Sequence, residues 1–129
     1  MLKLKGVLLQ KRILQSMYSG IYRVMDRTDA LNIARQYASV IKTNIDCKQI
    51  YLFGSYAKGT NREESDIDIA VILKEFENSL DIQLELMRLR RKIDSRIEPH
   101  PFREKDFNLS NPVVNEILMH GKRIDIGIS

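Results

Sequence analysis

An α+β fold, with a small mixed β-sheet and helices packed on it, is what the sequence predicts, on three observations. The chain has 129 residues, 43% hydrophobic and 29% charged, the balance of one soluble domain that buries a core without staples. Helical and strand-like apolar patterns alternate along it in the order helix, strand, strand, helix, strand, helix. No internal repeat or low-complexity stretch breaks that order.

Residues 1–25 differ in character from the rest. They carry Lys3, Lys5, Lys11, Arg12 and Arg23 with no acid, whereas residues 26–129 hold 16 basic and 17 acidic side chains. The formal net charge of +4 therefore belongs to the leader, and the body is not the basic surface that nucleic-acid binding needs. Leu9, Ile13, Met17 and Ile21 recur at four-residue steps, the pattern of an amphipathic helix. Three readings are open: a helix for a partner or membrane surface, an elaboration packed on the domain, or upstream sequence before a start at Met25. A secretory signal is excluded, because the longest apolar run before Lys11 is Val7 to Leu9. No window approaches the roughly 18 apolar residues of a membrane span. A lone Cys47 makes neither an internal disulfide nor a cysteine metal cluster, so a reducing, cytoplasmic setting is expected. The domain is expected over 26–129.

The elements follow in order. Asp26 and Thr28 are candidate N-caps for a helix whose apolar face is Leu31, Ala34, Ala38 and Ile41, ending near Asn44. Ile50 to Phe53, aromatic and β-branched, reads as a buried strand stopping at Gly54. Ser65 to Leu73 alternates Asp66, Asp68, Ala70 and Ile72 against Ile67, Ile69, Val71 and Leu73, a strand with one wholly apolar face. A long helix follows Lys74 to about Asp94 on a stripe of Ile82, Leu86, Leu89 and Ile93. Arg88, Arg90, Arg91 and Lys92 at its end complement the helix dipole, a reading favoured over a phosphate patch. Ser95 to Glu98 predicts a short strand ended by Pro99 and Pro101, then a helix over 112–120 and a strand over 123–126.

The chemistry concentrates between residues 54 and 71. Two aspartates one residue apart on a strand share a face, their Cα atoms about 6.5 to 7 Å apart. Asp66 and Asp68 can grip one divalent cation, and the apolar residues between them anchor the strand. Oxygen ligands without histidine or cysteine nearby favour Mg2+ or Mn2+ over Zn2+. At the other end, a strand running into Gly54-Ser55 turns sharply and offers backbone N–H groups and a hydroxyl to an anion. Lys58, a turn later, can neutralise a phosphate. The P-loop pattern fails, because Thr60 stands where lysine is required. Neither half is informative alone; together they make a phosphate-cradling turn beside a metal-binding pair.

Those residues resemble the nucleotidyltransferase superfamily of the DNA polymerase β type, whose signature is Gly-Ser, about ten residues, then Asp-x-Asp. Here Tyr56 to Ser65 are the ten residues between Ser55 and Asp66, and Ala57 and Gly59 match small residues frequent after Gly-Ser. The resemblance spans residues 28 to about 126 and is greatest to minimal, single-domain MNT proteins. It implies that Asp66 and Asp68 hold catalytic Mg2+, that Gly54 and Ser55 bind nucleotide phosphates, and that Lys58 replaces a more usual arginine without its bidentate fork. It also implies a third carboxylate from a later strand. Glu98 is the candidate and Asp94 the rival of the same parity; the family more usually has aspartate there.

The same resemblance implies AMP transfer from ATP to a HEPN-domain ribonuclease toxin, hence a hetero-oligomer of toxin and antitoxin. Two alternatives stand beside it: a non-catalytic antitoxin acting by contact, and nucleotidyl transfer to a small molecule. Clustered, mutually repelling carboxylates favour an enzyme over an adhesive surface. Neither a template nor a membrane is expected as partner. His100 reads as a histidine of a surface turn more readily than as a nucleotide contact, Cys47 as a small buried hydrophobe, and His120 as a helix-end residue beside Gly121.

Overall fold

The computed structural model describes residues 25–126; the leader readings therefore lie outside the described residues. Helix α1 spans Arg27–Asn44, strand β1 Cys47–Phe53, helix α2 Ser55–Lys58, strand β2 Ile67–Leu73, helix α3 Ser79–Arg90, strand β3 Ile97–Arg103, helix α4 Pro112–His120 and strand β4 Lys122–Ile124. A 3-10 turn at Glu104–Asp106 links β3 to α4. The sheet order is β3-β2-β1-β4. Strand β1 lies antiparallel to β2 and β4, and β2 lies parallel to β3. The expected mixed sheet with helices is therefore what forms.

The three longer helices, α1, α3 and α4, each start where a short polar side chain satisfies free N–H groups. Asp26, rather than Thr28, caps α1 in a reciprocal pair with Asp29. Asn78 caps α3 through Leu80 and Asp81, and Asn111 caps α4 ahead of Pro112. The sheet is apolar on both faces. Ile67, Ile69, Val71, Ile97 and Leu52 pack against Ala34, Tyr37 and Ile41 of α1 and Leu86 and Leu89 of α3. Phe53, Ala70 and Ile72 pack against Ile117 of α4, with Tyr51, Phe102 and Phe107 at the margin. A hydrogen bond of 2.6 Å from the Tyr37 hydroxyl to the Leu86 carbonyl ties α1 to α3 inside the first core.

Several boundaries differ from the sequence reading, each for a physical reason. Strand β1 begins at Cys47, so the thiol is only half-buried; it points to the carbonyls of Gln49 and Ile72. Burial pushes that thiol up to about 11, so it is protonated and unreactive near neutral pH. Helix α3 stops at Arg90 because Ile93 and Asp94 turn back onto the Arg90 carbonyl. Strand β3 starts at Ile97, not Ser95, and does not end at Glu98: it continues through both prolines to Arg103. It is an edge strand, where a missing N–H costs no ladder bond if it faces outward. Outward carbonyls are covered instead, Ile97 by Arg90 Nη1 at 2.7 Å and Pro99 by Gln83 Nε2 at 3.0 Å. Proline and side-chain cover together blunt that edge against pairing with another chain.

Gly54 lies between β1 and α2 with φ +74° and ψ −150°, a backbone region essentially reserved for glycine. A Cβ there would collide with Asp68 Oδ2. Gly59 closes α2 in the left-handed region at φ +77°. No helix among the described residues is long and apolar enough to cross a membrane.

Two substitutions check this packing. Tyr37→Phe removes one buried hydrogen bond and is expected to lower the free energy of unfolding by about 1 kcal/mol in urea titration. Gly54→Ala is expected to cost about 2 kcal/mol or more, from backbone strain together with the collision with Asp68; a cost below 0.5 kcal/mol, less than about a third of the strain expected, would contradict this geometry.

Candidate active site

The β1–β2 ladder pairs Phe53 with Asp68, and the β2–β3 ladder pairs Asp68 with Glu98. These two registers bring the glycine turn and two carboxylates from three chain segments to one place. Asp66 lies one residue before β2 and is exposed, rather than within the strand as expected, while Asp68 is half-buried. The Ile67 and Ile69 side chains are fully buried in the first core. They fix the segment between and beyond the two aspartates, as the alternation required.

Glu98 shows how closely the acids converge. Its carboxyl is held above the usual carboxylate range, first by a hydrogen bond shared with the Asp66 carboxyl, then by desolvation, with the charges of Asp66 and Asp68 adding. Only His100 acts in the opposite direction. Neighbouring carboxylates make the ionised form of one another costly, the response of crowded acids to too little counter-charge. This donor set fits a hard divalent cation. Among the described residues no group of three or more His, Cys, Asp or Glu side chains is arranged as a complete metal site, so a cation here would need further ligands from water and substrate. Mg2+ suits such a grip, since it takes one or two carboxylates and completes its shell with water and substrate phosphate.

The rival acid is occupied elsewhere. Asp94 accepts from the Arg96 backbone N–H at 2.8 Å and from its guanidinium at 3.0 and 2.8 Å, bracing the turn into β3. Glu98 is the one that stands beside Asp68.

Ser55 opens α2 directly after Gly54, and both are half-buried. The first N–H groups of a helix have no carbonyl one turn back to bond, so the turn offers donors next to the acids. Lys58 turns the other way: its Nζ meets Glu116 Oε1 of α4 at 2.8 Å. Its hydrogen bond and charge hold the Glu116 carboxyl below the usual range. Lys58 thereby borders a depression shared with Arg27, Thr60, His120 and Lys122. The basic end of α3 is engaged within the fold, Arg88 with Glu85 one turn back and Arg90 with the Ile97 carbonyl.

His100 is the residue the sequence reading missed. It lies within β3 opposite Ala70, not in a surface turn. Its Nε2 is 3.0 Å from Asp68 Oδ1, and its ring meets Phe53 edge-on at 4.9 Å. The parity of Glu98 and His100 was the available signal; ending the strand at Pro99 concealed it.

Comparison with known proteins agrees with this geometry. The family described as polymerase beta nucleotidyltransferase matches residues 35–124. A Methanocaldococcus jannaschii protein to which protein adenylyltransferase activity is ascribed is 44% identical over 62 residues, 47% of this chain and 62% of that protein. A second from the same organism is 41% identical over 49 residues, 38% of this chain and 57% of that one. The chain thus spans less than two thirds of the curated relatives it matches. Among solved structures, a chain of a mutant MntA toxin–antitoxin complex superimposes with a TM-score of 0.55 at 28% identity, covering 70% of this chain and 69% of that one. A toxin–antitoxin structure with AMP-PNP gives a TM-score of 0.54 at 28% identity, covering 74% and 72%. The Shewanella oneidensis complex of a tri-AMPylated HEPN toxin with its MNT antitoxin shares the fold, with a TM-score of 0.52 at 24% identity over 77% and 71%. With the family's match covering most of the chain and the glycine turn, paired aspartates and β3 acid gathered in one place, this protein belongs to the polymerase β nucleotidyltransferase family.

Proposed function

We propose that this protein is a Mg2+-dependent adenylyltransferase that moves AMP from ATP to a hydroxyl of a HEPN-domain partner protein, in the cytoplasm, within a hetero-oligomeric complex. The observation that carries the chemistry is the register that sets both Phe53, at the entry to the Gly54 turn, and Glu98 opposite Asp68, a concentration of acidic groups beside the turn that a cation and a triphosphate would complete. The partner and the acceptor hydroxyl rest on the likeness to toxin–antitoxin structures at 28% identity and on the relatives' ascribed activity.

In this reading Asp66, Asp68 and Glu98 are the metal-holding and catalytic acids. The cation, Mg2+ or Mn2+, would offset the charge of the triphosphate and of the departing pyrophosphate. Gly54 and Ser55 hold the phosphates through the N–H groups at the start of α2 and the Ser55 hydroxyl. The acceptor oxygen forms a bond to the α-phosphorus as the bond from that phosphorus to the bridging oxygen of pyrophosphate breaks. A carboxylate of the cluster, Glu98 being exposed like Asp66, takes the hydroxyl proton. Positioning and charge stabilisation carry such transfers, so a rigid acid pair matters more than a strong nucleophile. Lys58, held by Glu116, reaches a phosphate only by exchanging that partner for it.

The test is incubation of the complex with ATP and Mg2+, followed by mass spectrometry of the partner for a gain of one AMP. Asp68→Asn is expected to reduce the rate at least about a thousandfold, about 4 kcal/mol of transition-state stabilisation, without loss of cooperative thermal unfolding. Full transfer by the folded variant would overturn the assignment. A partner silenced without any gain in mass would instead establish neutralisation by contact.

A further inference from the structure

We infer that His100 is a positioning residue of the transfer site, one that holds the Asp68 carboxylate in the orientation in which it takes up the cation. The inference rests on the proposed metal-dependent reading and adds to it a residue outside the Gly-Ser and Asp-x-Asp pattern.

Two contacts of Asp68 converge on it. The His100 Nε2 lies 3.0 Å from Asp68 Oδ1, across 32 residues of chain. A carboxylate oxygen only accepts, so Nε2 carries the hydrogen in this contact whatever the charge on the ring. The other oxygen, Oδ2, is packed against Gly54, where even a Cβ would not fit. Asp68 is therefore clamped on both sides: one oxygen by a donor, the other by the bare backbone of the turn. Each carboxylate oxygen has two lone pairs, so one hydrogen bond leaves Asp68 able to ligate while removing its freedom to rotate.

The imidazole packs on an aromatic ring and projects from a restricted backbone. Its ring meets Phe53 edge-on at a centroid distance of 4.9 Å, and Phe53 is buried in the second core. Its cross-strand partner is Ala70, whose small side chain leaves space on that face. Pro99 and Pro101 flank it, and a residue before proline is restricted to extended backbone. Glu98 and His100 both precede a proline, so both project from a strand whose local backbone is restricted. Partners that orient metal-ligating carboxylates typically change metal affinity 10- to 100-fold when removed.

The probe is Mn2+, measured by electron paramagnetic resonance of the free ion, on the full chain, with thermal unfolding followed in parallel. His100→Ala is expected to weaken Mn2+ binding at least about tenfold while unfolding stays cooperative. His100→Gln, whose amide nitrogen reaches about as far as Nε2, is expected to stay within about threefold of the wild type, well short of the loss expected without a donor. His100→Met fills the ring's place beside Phe53 without an N–H; it is expected to match the alanine variant and decides the question should that variant not fold. Wild-type affinity in His100→Ala or His100→Met, or equal losses in Gln and Met, would overturn the inference while leaving the metal site standing. A folded wild type that binds no Mn2+, with or without ATP, would overturn the metal-dependent reading and this inference with it.

Discussion

The close approach of Asp68 to Gly54 is the constraint on which the site depends. It requires a residue without a side chain, in a backbone conformation that other residues avoid, at the point where β1 ends. It also requires the β1–β2 register that sets Phe53 opposite Asp68. A shift of that register by one residue would turn Asp68 into the core and Ile67 or Ile69 out of it. The buried isoleucines on either side thus enforce the position of a charged group on the opposite face of the strand.

Crowded carboxylates repel one another, and a sheet tolerates them only where other interactions fix the strands. Here both faces supply that restraint. The first core, with α1 and α3, holds the isoleucine face of β2, while Phe53, Ala70, Ile72 and Ile117 close the other. The acids lie at the end of β2 beyond this second apolar cluster, with Phe53 and His100 at the boundary. The neighbouring acids hold the Glu98 carboxyl above its usual range, a cost that a cation placed among them would offset.

The β3 edge of the sheet is shaped by its two prolines in two ways. A strand with two prolines would break an interior ladder, but at the edge its missing donors remove sites for unwanted pairing. The same prolines restrict Glu98 and His100 to extended backbone. Local stiffness at β3 therefore protects the edge and presents two side chains to β2 at once.

Much of this was legible from residue pattern. The strand into Gly54, the alternation from Ile67 to Leu73 and the helices beginning at Asp26 and Pro112 all use local rules of two-residue or 3.6-residue spacing, and the fold carries them. The end of β3 was not legible, because whether proline stops a strand depends on whether that strand lies at an edge, and sheet order is a tertiary fact. The same limit governed Lys58, whose partner Glu116 is on another element, and Asp94, whose arginine pair follows from the turn it braces. By itself, the sequence determined which side chains could form a phosphate turn and an acid pair, since both are written in short-range spacing. Tertiary structure decided that Glu98 lies opposite Asp68 and that a histidine reaches the same aspartate, because pairing between β2 and β3 is set by packing across the sheet and not by distance along the chain.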